Sequence, residues 1–351
     1  MPKETMSPRE RWQAVLDRKP PDRLPMDYWG TVEATQNLCC HLACTEAEAF
    51  DRLHVDRPLT VGGRYVGPAL EPNQNVFGVR TRPVDYGAGT YNEIASNPLA
   101  AFTSVQEIEA RYTWPNPDWW DYSHLPEAVR GQDHRPIRAG GSEPFLIYCT
   151  LRGMEQAYMD LVLNPEMVHY CLDKLFDLAR EDTRRIFETI PGQVMITYIA
   201  EDLGSQESLL FSPQQMKEFL FPRMKRMMDL TREHGSHVFT HSDGAVRPVI
   251  EDLIALGVQV LNPIQWRCQG MEREGLKKDF GRRLVFHGGM DNQHTVPFGS
   301  VDDVRQEVLD NLRILGSGGG YILAPCHNIQ SVTPPENIVA IYETGYANGW
   351  T

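Results

Sequence analysis

The 351-residue sequence contains no stretch approaching the roughly 18 uncharged apolar residues needed to cross a bilayer. Its opening residues, Met-Pro-Lys-Glu-Thr, also lack the basic-then-apolar order of a secretory signal. Basic charge is in deficit: 34 Lys and Arg stand against 47 Asp and Glu, a net charge of −13, so no overall field attracts a nucleic-acid backbone. The seven cysteines are an odd number scattered from Cys39 to Cys326, which excludes the dense disulfide framework of a small secreted domain. Internal repeats and low-complexity tracts are missing too. These absences predict a cytoplasmic protein with reduced thiols and with neither a membrane nor a nucleic-acid partner.

What is present is a regular alternation. From about residue 194 onward, short apolar or β-branched runs are separated by polar loops and longer amphipathic stretches, the pattern of βα units on a parallel sheet. The runs are Val194–Ile199, Ser236–Thr240, Gln259–Asn262, Leu284–His287 and Tyr321–Ala324. Helical patterns fall at Pro213–His234, Ala245–Leu256, Gly270–Phe280 and Val301–Leu315, several of them opened by Ser, Asp or Pro in capping positions. Earlier, Pro25–Trp29 and Val55–Val61 read as further strands. Arg138–Leu151 holds the apolar run EPFLIYCTLRG, with helices following to about Leu163 and from Pro165 to Thr189. The expected fold is a (β/α)8 TIM-type barrel over residues 1–351. Residues 1–136 are expected to include an N-terminal helical extension and loops that cover the barrel mouth.

In such barrels chemistry sits where strands end, because loops there vary without disturbing the core. That rule selects Glu201 and Asp202, His241 and Asp243, Asn262 and Gln265, His287 and Asp291, and Cys326 and His327. The stretch HSDG at 241–244 allows two readings. Residues two apart share a side of an extended strand, so His241 and Asp243 can reach one metal ion, with Cys326 or His327 completing the set. Alternatively His241 is satisfied in a polar core and Asp243 caps the helix starting near Ala245. One of Glu201 and Asp202 is expected to line the site as an acid/base group, since like charges held close push a carboxyl pKa upward.

Other signals are weaker. Adjacent strand residues diverge, so Cys326 and His327 are not read as a nucleophile pair. CCHLAC at 39–44 lies in an amphipathic helix and reads as packing, and Cys268 is a minor candidate third ligand. GSGGGY at 316–321 precedes a strand, the reverse of a phosphate-cradling loop, and reads as a turn.

SPRERWQAVLDRKPPDRLPMDYWG at 7–30, THSDG at 240–244, HGGMDNQ at 287–293 and TPPENI at 333–338 occur in one order along the chain. Together they resemble the uroporphyrinogen decarboxylase superfamily, which implies a (β/α)8 barrel. True decarboxylases of that superfamily carry an Arg-Gln-Ala-Gly-Arg segment near the N-terminus, a catalytic aspartate and no cofactor. This chain has MDYWGTVEATQN in place of the arginine-rich segment. The opening Pro-Asp-Arg-Leu-Pro is instead similar to the branch of zinc-dependent methyltransferases that move a methyl group between a corrinoid protein and an acceptor. That branch holds Zn²⁺ through a His-x-Cys pair and a later cysteine, which implies His241, Asp243 and Cys326 as metal ligands, or His327 in place of Cys326.

Asp243 stands where a thiolate is expected, and a carboxylate makes the metal a harder Lewis acid, which disfavours coenzyme M or homocysteine as acceptor. Of the strand-end residues, Glu201, Asp202 and His327 are expected to be catalytic, and Asn262, Gln265, His287 and Asp291 to bind substrate. The methyl-corrinoid would come from a partner protein, since no corrinoid-binding segment is visible in the sequence. The alternatives are a metal-free decarboxylase or lyase using Asp243 or Asp202 with His241 or His327, and a barrel that binds without catalysing.

Overall fold

The computed structural model describes residues 3–85, 87 and 90–351. A single parallel sheet organises it, formed by β1 (Leu59–Val61), β2 (Ile137–Ser142), β3 (Ile196–Ala200), β4 (His237–His241), β5 (Val260–Asn262), β6 (Val285–Met290) and β7 (Tyr321–Pro325), hydrogen-bonded in that order. Residues 25–27 fill the eighth position. Leu323 N donates to Pro25 O at 3.0 Å and Asp27 N to Leu323 O at 2.9 Å, while Asp56 N, just before β1, donates to Met26 O at 2.6 Å. The fold is thus the α/β barrel that the alternation predicts.

Strand alternation builds the interior in layers. Ile196, Phe239, Val260, Val285 and Ile322 form an apolar floor with Trp12 and Val15 of the helix Pro8–Leu16, which plugs the N-terminal end of the barrel. Ser7 and Glu10 close a reciprocal capping box on that helix, and Pro8 opens its first turn, so its start is written in the local sequence. Two residues further along β3, β4, β5 and β6, Tyr198, His241, Asn262 and His287 form the next layer, which is polar. The register pairs His241 with Asn262 directly.

Two sequence expectations shift in detail. The run EPFLIYCTLRG is the helix Pro144–Arg152, burying Phe145, Tyr148, Cys149, Leu151 and Arg152, and it follows the strand β2. The helix expected from Ala245 begins as a single 3-10 turn at Arg247–Val249 and becomes α-helical at Ile250–Leu256. Ahead of that turn Gly244 is at φ +87°, outside the helical region, and Gly244 and Ala245 donate across the mouth to Gln265 Oε1 at 2.9 Å and Ser205 O at 2.7 Å. Residues 62–136 carry the hairpin Arg80–Asp85 with Thr90–Ser96, the short ribbon Arg64–Tyr65 with Trp120–Asp121, and short helices.

Candidate active site

A cavity of about 870 Å³ opens at the C-terminal ends of the strands. Asp27, Trp29, Arg138, Tyr198, Asp202, His241 and His327 line it, and among the described residues of 62–136 only Gly62 reaches it.

The geometry of His241 follows from a chain of hydrogen bonds beneath it. His287 Nε2 lies 3.1 Å from Asp27 Oδ2, Asn262 Nδ2 lies 2.7 Å from His287 Nδ1, and His241 Nδ1 lies 2.6 Å from Asn262 Oδ1. An amide oxygen only accepts and an amide nitrogen only donates. With Asp27 accepting from His287 Nε2–H, His287 Nδ1 is the acceptor for Asn262, and Asn262 Oδ1 accepts the hydrogen bond of His241 Nδ1–H; this assigns the tautomers from the network. His287 is fully buried, and burial lowers its pKa against the pull of Asp27, in keeping with a neutral ring. His241 is left presenting the Nε2 lone pair to the cavity.

Two carboxylates face that lone pair. Asp202 Oδ1 lies 3.8 Å and Asp243 Oδ1 3.9 Å from His241 Nε2. The three ligand atoms lie within 4.8 Å of one another, a grouping with the dimensions of a metal site. Asp243 Oδ1 is buried and has no hydrogen-bond partner among the described residues. Burial raises the Asp243 pKa, opposed by His241 and His327, while the nearby Asp202 charge adds to the rise. Asp243 therefore caps no helix: the turn at Arg247 has no side-chain cap, and Asp243's own N–H points at Asp202 Oδ1 at 3.3 Å. Gly244 makes this tight passage possible, since its φ is +87° and a Cβ there would sit 2.5 Å from the Gly204 carbonyl carbon.

The other sequence-selected residues divide by position. His327 is exposed at the rim, its ring 6.3 Å from that of His241, and its carbonyl is held by Asn292 Nδ2 at 2.6 Å. Glu201 points away from the cavity: its carboxyl group accepts from Phe145 N at 2.8 and 3.1 Å, serving the N-terminus of the helix Pro144–Arg152. It is buried, and burial raises its pKa well above the ordinary carboxyl value. Asn262 and His287 lie beneath the site, orienting His241, and Gln265 braces the Gly244 turn. Asp291 is bound to Arg267 and to Gln293 N at 2.9 Å, at the start of the short helix Thr295–Phe298. Cys326 is buried with its thiol on Ile264 O at 3.2 Å, and burial raises its pKa well above that of a free thiol. It is not part of the three-ligand group.

Asp27, Trp29, Arg138 and Tyr198 belong to the site although the sequence reading selects none of them as site residues. Asp27 and Trp29 sit within the run Pro25–Trp29, at the end of the closing segment, so the strand-end rule reaches them once that segment counts as a barrel strand. Tyr198 shares its side of β3 with Ile196, and alternation places it in the polar layer.

A parallel barrel with an acid–imidazole–acid cluster at its C-terminal mouth defines an enzyme-type architecture. Residues 129–347 match the family model described as Uroporphyrinogen decarboxylase (URO-D), and the chain belongs to that family. Curated relatives named uroporphyrinogen decarboxylase include that of Chromohalobacter salexigens, 26% identical over 283 residues that cover 76% of this chain and 75% of the relative. That of Pseudomonas savastanoi is 27% identical over 51% of this chain and 49% of its own length, so here the chain spans about half of the relative. Among solved structures, one described as a methyltransferase from Methanosarcina mazei superposes with a TM-score of 0.70 at 18% identity, covering 97% of this chain and 99% of that one.

Proposed function

We propose that the protein is a zinc-dependent methyltransferase that moves a methyl group between a methyl-corrinoid, carried by a separate protein, and a small-molecule acceptor. The observation that carries this reading is the cluster of Asp202 Oδ1, His241 Nε2 and Asp243 Oδ1 within 4.8 Å, containing a buried carboxylate oxygen without a partner among the described residues. An imidazole whose far nitrogen is tied down and two carboxylates suit a divalent ion with an open position. Zinc, when bound there, supplies Lewis acidity that lowers the pKa of the acceptor.

The chain's own residues do the rest. Asp202 and Asp243 hold charge next to His241. Asn262, His287 and Asp27 fix the His241 ring, so its Nε2 direction needs no reorganisation. Trp29 and Tyr198, with ring centroids 6.0 and 5.8 Å from His241, shield one side of the site from water. The exposed His327 marks the side on which a partner protein would approach. The superposed Methanosarcina mazei protein is described as a methyltransferase, in agreement with this reading. The altered donor set directs the reading toward an acceptor harder than a thiol.

The names of the curated relatives favour a second reading, decarboxylation with the raised-pKa Asp243 as acid. One experiment separates them. The zinc-loaded protein is incubated with methylcob(III)alamin and candidate acceptors and followed by the cobalamin spectrum, in parallel with carbon dioxide release from candidate acids. The proposal expects demethylation of the cobalamin that H241A abolishes. Carbon dioxide release with no spectral change would replace it with the decarboxylase.

A further inference from the structure

We propose that Arg138 is an anion-binding residue of the cavity, and that the substrate is a small organic acid whose carboxylate pairs with Arg138 while its reacting end lies at Asp202, His241 and Asp243. The second half rests on the proposed function. The first half stands on Arg138 alone.

Arg138 lies on β2, in register with Thr60 of β1 and Ile196 of β3. Its Nε donates to Thr60 Oγ1 at 3.1 Å, and its two Nη groups have no acceptor among the described residues. No carboxylate comes within salt-bridge distance of it among those residues. The other cation lining the cavity, Arg57, is held by Glu46 at 2.8 Å, and the buried Arg11, Arg23, Arg152 and Arg223 all have carboxylate partners. Several acidic groups in the lining are likewise committed. Glu143 accepts from Tyr198 OH at 2.8 Å, Asp182 from Tyr122 OH at 2.7 Å, and Asp27 from Trp29 Nε1 at 2.9 Å. Arg138 is therefore a cation without a counter-charge among the described residues, inside a cavity where these anions already have donors.

Its surroundings add direction. The guanidinium carbon is 5.8 Å from the ring centroids of both Trp29 and Tyr198. The same two rings are the neighbours of His241, so Arg138 and the acid–imidazole cluster flank one aromatic wall. A half-buried guanidinium with free Nη groups is the geometry that a carboxylate satisfies through two parallel hydrogen bonds. A molecule bridging the wall would have its anionic head at Arg138 and its far end at the cluster, which gives one binding orientation.

Isothermal titration calorimetry on the full chain, stripped of metal by chelation, tests this with benzoate and its neutral isostere benzamide at constant ionic strength. Benzoate should bind the wild type saturably and R138Q at least about tenfold more weakly, the usual worth of one charge-assisted pair. R138K should fall between, because it keeps the charge and loses the fork. Benzamide should bind weakly to both. A far-ultraviolet spectrum and melting curve establish that R138Q is folded. Equal benzoate affinity in wild type and R138Q, no saturable benzoate binding to the wild type, or benzamide binding as tightly as benzoate would each overturn the proposal. Because no metal is present, failure of the zinc reading leaves this result unchanged, and loss of anion binding leaves the zinc reading unchanged.

Discussion

His241 Nδ1 lies 2.6 Å from Asn262 Oδ1, and this one hydrogen bond decides which nitrogen of the imidazole faces the cavity. Asn262 is fully buried and in direct register with His241, so the bond is imposed by strand pairing. Replacing Asn262 with Ala frees the ring to rotate and leaves His287 Nδ1 without its donor. Metal affinity, measured by competition with a chromophoric chelator, should fall about 10- to 100-fold in N262A, the usual effect of losing the group that orients a ligand histidine. Unchanged affinity would mean that the His287–Asn262–His241 chain is only structural.

Cys326 should behave as an inert core thiol. It is buried, donates to Ile264 O at 3.2 Å, and its pKa is raised by burial. Reactivity follows thiolate character and exposure, so brief iodoacetamide treatment of the folded protein at pH 8 should label the exposed Cys40 and leave Cys326 unmodified. Peptide mass spectrometry reads both. Rapid labelling of Cys326 would contradict the assignment.

Glu201 should matter to the fold more than to the reaction. E201A removes the acceptor for the Phe145 N–H and should destabilise the protein by about 1–3 kcal/mol. E201Q keeps an acceptor oxygen in place and should cost less than half as much, because burial already favours the uncharged carboxyl group. Denaturant melts of the two variants give the comparison. A severe loss of activity in a fully stable E201Q would instead place Glu201 in the chemistry.

Asp22 anchors the N-terminal helix to the closing segment. Its carboxylate takes Arg11 Nε at 2.8 Å and the N–H groups of Thr5 and Met6 at 2.8 and 3.0 Å. Burial opposes its charge, yet the Arg11 hydrogen bond and these backbone donors hold its pKa far below the usual carboxylate value. A carboxylate depressed in the folded state contributes stability that is complete above its unfolded pKa, near 4, and disappears as pH falls toward the folded value. D22N should therefore be less stable than wild type at pH 7, by about 1–3 kcal/mol, and its stability should decline less steeply below about pH 4. Parallel loss in both proteins down to pH 2 would contradict the pairing.

The barrel is readable in the sequence because strand, loop and helix recur with a fixed beat, and buried parallel strands leave unbroken apolar runs such as Tyr321–Ala324. Asp202, His241 and Asp243 are readable because strand ends in one barrel share one mouth. The strand-end rule does not say which way a residue turns once the strand has finished. Glu201 is adjacent to Asp202 and turns to the Phe145 N–H, and Asp291 turns to Arg267. Asp243 is ambiguous in sequence for a related reason: its local text fits a helix cap, but the first helical turn starts at Arg247 with no side-chain cap, and Asp243 Oδ1 has no hydrogen-bond partner among the described residues. Arg138 carries no sequence signal because an arginine in a strand reads as an edge or surface residue until the packing shows which partners it lacks.

The central claim is that Asp202, His241 and Asp243 hold one divalent metal ion without Cys326. Elemental analysis of purified wild type beside D202A, H241A, D243A and C326S tests it most directly. The account predicts about one zinc per wild-type chain, retained in C326S and lost or sharply reduced in the other three variants. A metal-free wild type, or a zinc content that collapses in C326S while D202A keeps it, would contradict the account.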